Sequence, residues 1–181
     1  MGGLSHLIHN ALNTEVFQVK ALMGKGLGLT KDGTHVAFVG GTGVLVFIDL
    51  VALLLRFNLG LITPESVPIF AKGSTFKFVL YASFPNREEA LGIELLEGLR
   101  DVTQKKGLNN FELVLRIKNE GPQGQSRWDQ DYISRQIEIR QKENLTKAYV
   151  CGPPVMGELF DRVFDSMINR RSLRSSQVHV M

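Results

Sequence analysis

Apolar and polar positions along the 181-residue chain fall into short blocks whose period changes repeatedly. His35–Val39 is a brief apolar run that stops at Gly40-Gly41-Thr42-Gly43. Val44–Phe57 resumes as a longer run broken by Asp49. A strand, a glycine turn and a helix read this way. Phe76–Phe84 is almost continuously apolar, as expected of a strand covered on both faces. Leu91, Leu95, Leu99 and Val102 then recur at helical spacing between charged residues. Asn86 is placed to cap that helix, Glu88 and Glu89 to occupy its first turn, and Gly107 to stop it. Phe111–Ile117 predicts a third strand, Asp129–Lys142 a helix, and the run ending at Cys151 a fourth strand. Val155–Arg170 predicts a further helix and Gln177–Met181 a short closing strand. Upstream, Glu15–Leu22 alternates as a strand does. Residues 23–33 carry four glycines, and 118–127 is polar and glycine-rich, so both are expected to be loops.

Strands alternating with helices predict an α/β fold, a Rossmann-like parallel sheet flanked by helices with right-handed crossovers. The expected organisation is a single domain over residues 35–181, with residues 1–34 as a lead-in. No internal repeat interrupts it.

Composition changes the picture little but excludes much. Hydrophobic residues at 44% and charged residues at 22% are ordinary for a soluble globular chain. The net charge of +3 is too small and too dispersed to call for nucleic acid. Arg170, Arg171 and Arg174 are the densest basic stretch, and cations at a helix end explain them. Cys151 is the one cysteine, which rules out an internal disulfide and a cluster held by this chain alone. No metal site is expected. The apolar run Val44–Phe57 is short against the roughly 20 residues of a membrane span, so a buried helix is expected and no span. The N-terminus has neither a secretory pattern nor a myristoylation motif. A cytoplasmic or mitochondrial, not secreted, protein is expected.

Two stretches carry chemistry. Glycines at 40, 41 and 43 let the backbone approach a pyrophosphate closely, and the helix that follows offers free N–H groups and partial positive charge. Thr42 adds a hydroxyl. A tight turn with no ligand reads equally well. The second stretch is Cys151-Gly152-Pro153-Pro154, which ends a strand and turns into a helix whose first turn tolerates proline. It sets a thiol at the same sheet edge as Thr42, although a lone cysteine at a strand end is usually a small buried hydrophobe.

GGTG and CGPP, about a hundred residues apart in this order, resemble the pyridine-nucleotide-binding half of the ferredoxin–NADP reductase superfamily, which includes cytochrome b5 reductases. HVAFVGGTGVLVFIDL is similar to that family's first strand, phosphate turn and helix. KAYVCGPPVMGELFD is similar to its last major strand and following helix. VKALMGKGLGL resembles the segment leading out of the flavin barrel, with Ala21-Leu22 where Gly-Pro is usual. The resemblance spans residues 16–181. It implies that Gly40, Gly41, Thr42 and Gly43 cradle the pyrophosphate. Cys151 would sit beside the hydride-donating carbon, with Gly152, Pro153 and Met156 shaping the pocket. Glu88 and Glu89 lie where NADH-using relatives carry an acid for the ribose, and Arg87 beside them confuses that reading. The cofactor implied is NADH or NADPH, with NADH preferred.

The family's flavin barrel and its Arg-x-Tyr-Ser/Thr motif are missing from residues 1–34. The expectation is therefore a nucleotide-binding subunit whose FAD sits on a partner chain and which does not turn over alone. The alternatives are an inactive reductase-like structural subunit of a larger, possibly mitochondrial, complex and an NAD(H)-sensing or sequestering domain. Leu4, Leu7, Ile8, Leu12, Val16 and Phe17 are expected to meet a protein partner on the face that a barrel would cover.

Overall fold

The computed structural model describes residues 26–118, 120 and 128–181. The expected strand Glu15–Leu22, the apolar residues from Leu4 to Phe17 and most of the loop near 120 lie outside them.

The chain enters through an extended segment at residues 26–30 and forms strand β1, Thr34–Gly40, which is buried along its whole length. A helical stretch follows, tight 3-10 over Gly41–Phe47 and then α1 over Ile48–Leu59. Next come β2 (Lys77–Phe84), α2 (Ile93–Lys105) and β3 (Phe111–Ile117). The second half holds α3 (Gln130–Lys142), β4 (Leu145–Cys151), α4 (Pro154–Asn169) and β5 (Val178–Val180). All strand pairs are parallel, in the order β3-β2-β1-β4-β5. This is the Rossmann-like α/β architecture that the alternating pattern predicts.

Alternation along the strands builds two cores. Ala37 and Val39 of β1 face Leu50, Val51 and Leu54 of α1 and Leu96 and Leu99 of α2. Val36 and Phe38 face Ile133 and Ile137 of α3 and Phe160, Val163 and Phe164 of α4. Successive side chains of a strand point to opposite faces, so one buried strand serves both layers. Phe38 stacks on Tyr81 with ring centroids 4.7 Å apart, and burying such a ring contributes about 1.5–3 kcal/mol.

The helical stretch Gly41–Leu59 is 19 residues long with a mean hydropathy of 1.9, long and apolar enough by composition to cross a membrane. Of that stretch 39% is buried, with Val44, Phe47, Leu50, Val51 and Leu54 packed in the core on the sheet.

Two boundaries differ from expectation. The helix after the glycine turn begins at Gly41 rather than Val44, with a 3-10 first section. The helix expected to start after Asn86 starts six residues later, so Glu88 and Glu89 are in a turn and not in its first turn. Asn86 does accept from the Glu89 N–H at 2.8 Å. The chain cannot continue from there as a helix, because Ala90 is drawn into the core and Gly92 takes φ +70° against Ile48. The buried face of α2 is Leu96, Leu99 and Thr103, and Leu91 is exposed. Gly107 does stop the helix, with φ +63° and its N–H donated to the Gln104 carbonyl.

Candidate nucleotide site

From β1 the chain winds first toward β2 and β3, then returns to place β4 on the other side of β1. The order of strands therefore reverses between β1 and β4, and the carboxyl ends of such a pair open the crevice where α/β sheets hold ligands. Gly40 ends β1 and Cys151 ends β4, with Val39 the register partner of Cys151. The structure thus brings the GGTG and CGPP turns side by side.

They are in contact. A Cβ on Gly43 would collide with the Cys151 carbonyl and lie 3.1 Å from the Gly152 nitrogen. A Cβ on Gly152 would meet the Met156 sulfur at 2.6 Å and the Gly40 nitrogen at 3.2 Å. These glycines serve close approach of backbone to backbone. Gly41 differs: its φ is +53°, and nothing lies within 4 Å of where its Cβ would stand. It is the open position of the turn, where a ligand can reach the main chain.

The 3-10 section starting at Gly41 has no side-chain cap and no acidic residue in its first turn. Its leading N–H groups and partial positive charge face the sheet's carboxyl edge, which suits an anion. Thr42 is exposed beside them. The donor set fits the pyrophosphate of a dinucleotide.

Cys151 is half-buried, its side chain resting on the core that α1 and α2 cover. Burial pushes its thiol up from the ordinary value, so it is a neutral S–H at pH 7. Pro153 is exposed and precedes the first residue of α4, and its carbonyl accepts from the Met156 N–H at 2.8 Å. Met156 is buried, its sulfur wedged beneath Gly40 and Gly152. It props the two turns from below.

Glu88 and Glu89 are on the same edge but one strand over, beyond the end of β2, whose Ser83 pairs with Gly40. Both are exposed. The Glu89 carboxylate accepts from the Asn86 amide at 2.6 Å. Arg87 turns to Glu97 of α2, with Nη1 and Nη2 donating at 3.1 and 3.2 Å, and to Glu120, with Nε donating at 2.7 Å. The sequence reading missed Glu97 and Glu120, which stand ten and thirty-three positions from Arg87.

An open groove of about 340 Å³ runs alongside, lined by Leu27, Leu29, Val46, Leu50, Leu53 and Asp49 among others. It belongs to the flank of α1 and contains none of the turn glycines. Among the described residues no group of His, Cys, Asp or Glu could hold a metal ion.

The backbone arrangement recurs in solved proteins. The cytochrome b5 reductase domain of Ulva prolifera nitrate reductase matches 82% of this chain with a TM-score of 0.51 at 12% identity. A mutant ferredoxin–NADP+ reductase from Plasmodium falciparum, in complex with 2'P-AMP, matches 82% at 0.53 and 16%. The CS-b5R domains of human Ncb5or, in their NAD+ form, match 83% at 0.54 and 13%. At these identities the likeness shows a shared fold. The match covers 48%, 52% and 37% of those chains, so this chain spans about half their length or less. No protein-family model and no curated protein matches the sequence.

Proposed function

We propose that this chain binds NADH at the paired turns and that the hydride passes to a flavin held on a partner chain. The observation that carries the reading is the lock between Gly43 and Cys151, which fixes an open Gly41 at the switch point of a reductase fold. A bound dinucleotide supplies the hydride; the protein binds and orients it. Gly41, Thr42 and Gly43 hold the pyrophosphate with backbone N–H groups and a hydroxyl. Gly40 and Met156 keep the two turns in register. Cys151, Gly152 and Pro153 form an uncharged wall for the nicotinamide. Glu88 or Glu89 accepts from the ribose 2′-OH, which favours NADH over NADPH.

The partner is supported by exposed apolar residues in the first turn of α4, in the 3-10 section after β1 and in the turn before α2. Val155 is 75% exposed, Leu45 55% and Leu91 43%. Exposed apolar side chains on the elements that flank the two turns suit a surface that another protein covers.

Thermal melts with each nucleotide test the binding. A ligand at a hundredfold excess over its dissociation constant adds about 2.7 kcal/mol to the folded state, so NADH is expected to raise the midpoint clearly. The absence of any shift with millimolar NADH or NADPH overturns the reading and leaves the fold as a structural module.

A further inference from the structure

Arg87 follows β2 at the sheet's carboxyl edge, beside Glu88 and Glu89. An arginine in this region ordinarily accommodates an adenosine 2′-phosphate. Here every nitrogen of its guanidinium is engaged. Nη1 and Nη2 form a two-pronged pair with the two oxygens of Glu97, and Nε donates to Glu120. Paired prongs of this kind fix both position and direction of the guanidinium.

The local charge points the same way. One Arg87 faces two carboxylates, so the cluster carries a net negative charge before Glu88 and Glu89 are added. Arg100 approaches Glu97 at 3.7 Å from its own helix but also binds Asp101 at 3.0 Å. A phosphate dianion arriving here meets a surplus of carboxylates and a guanidinium that already commits three of its five N–H donors to them. A neutral 2′-OH meets no such barrier.

We infer that Glu97 and Glu120 are specificity-determining residues, which hold Arg87 as a latent 2′-phosphate ligand and so exclude NADPH. This rests on the proposed nucleotide site. Each partner acts through Arg87 and touches no reacting atom, so both are positioning residues. The pairs are exposed, and exposed ion pairs add little to stability. Their loss should therefore leave the fold intact and change selectivity.

The test is calorimetric titration of NADH and NADPH into the full chain, into Glu97→Gln/Glu120→Gln, and into that double variant carrying Arg87→Ala as well. Urea melts on all three check that they fold alike. The parent is expected to prefer NADH. The double variant should bind NADPH about tenfold more tightly, a factor worth 1.4 kcal/mol, with NADH affinity little changed. Adding Arg87→Ala should remove that gain. A gain that survives Arg87→Ala overturns the latent-ligand role, because loss of negative charge alone then explains it. An unchanged NADH-to-NADPH ratio in the double variant overturns it too, while normal NADH binding leaves the site itself standing. Failure of the parent to bind either nucleotide overturns the site and this inference together.

Discussion

Gly43 and Cys151 touch backbone to backbone, with no room for a single methyl group between them. Val39 and Cys151 are register partners on β1 and β4, so neither strand can slide aside without breaking the ladder at the centre of the sheet. Gly43→Ala is therefore expected to destabilise the fold by about 2–3 kcal/mol, as overpacking a tight site does. It should also weaken NADH binding by forcing the turns apart. Urea unfolding measures the first effect. An unchanged midpoint would mean that the turns separate freely and that their contact does not organise the site.

Gly41→Ala makes the opposite case. The space around it is open, but φ +53° costs an L-residue about 1–2 kcal/mol. The new methyl would stand where a pyrophosphate must approach the main chain. NADH affinity is expected to fall more than about tenfold, or 1.4 kcal/mol, and by a larger factor than the stability loss alone explains. Retained affinity in a folded Gly41→Ala protein would remove this residue from the phosphate cradle.

The features legible in the sequence are those set by local chemistry. GGTG and CGPP stand out because glycine and proline punctuate the chain where β1 and β4 end, and the sheet brings those ends together. Continuous apolar runs announced β1 and β2 because both faces of each are covered. Local chemistry misled at Asn86, which caps a single turn while the burial of Ala90 and the left-handed Gly92 delay α2 to Ile93. The Arg87 pairs with Glu97 and Glu120 were invisible for a different reason. They join residues from separate elements, and no periodicity encodes which glutamate a long, exposed arginine will reach.

Arg140 is buried between α3 and the sheet. It donates through both terminal nitrogens to Glu112, and also to Glu143 and the Tyr81 hydroxyl oxygen. Glu112 and Lys77 lie at the amino ends of β3 and β2, away from the glycine turn. Arg140→Leu leaves Glu112 and Tyr81 without that partner, and losing hydrogen bonds to a charged group costs about 1.5–3 kcal/mol. The expected result is a lower melting temperature with NADH affinity unchanged in the folded protein. Adding Glu112→Gln should recover part of the loss. A melting temperature equal to that of the parent would show that the network is dispensable.

His35 predicts how stability depends on pH. Its ring is fully buried in β1, where Nε2 lies 3.1 Å from the Thr30 hydroxyl and Nδ1 3.4 Å from the Tyr149 hydroxyl. Burial, offset in part by the Thr30 backbone hydrogen bond and aided by Lys147, pushes it down to about 4 from 6.5. As pH falls through 6.5 the unfolded chain takes up a proton that the folded chain refuses. Stability is thus whole above 6.5 and declines until about pH 4, by about 3 kcal/mol in total. Glu112 and Glu143 are also lowered, because hydrogen bonds and charge from Arg140 and Lys77 outweigh their burial. Their contribution is lost at lower pH, once the carboxylates of the unfolded chain protonate. Urea melts between pH 7 and about 5.5 read the histidine before the carboxylates contribute. His35→Gln should flatten the decline, and an equal slope in both proteins would assign it elsewhere.

Cys151 separates catalysis from scaffold. Its thiol is held neutral by burial and rests on the first core, so alkylating reagents that need the thiolate should label it slowly at pH 7. NADH should slow that labelling further if the nicotinamide lies against it. Cys151→Ala removes one small packed atom, which costs about 1 kcal/mol and should leave NADH affinity nearly intact. With a flavin-bearing partner supplied, the same change is expected to lower kcat more than it raises KM, because a group beside the hydride-donating carbon acts mainly on the transition state. Stopped-flow reduction of the flavin compares parent and variant directly. Equal reduction rates would strip the thiol of any part in hydride transfer and leave Cys151 as the residue whose carbonyl seats Gly43.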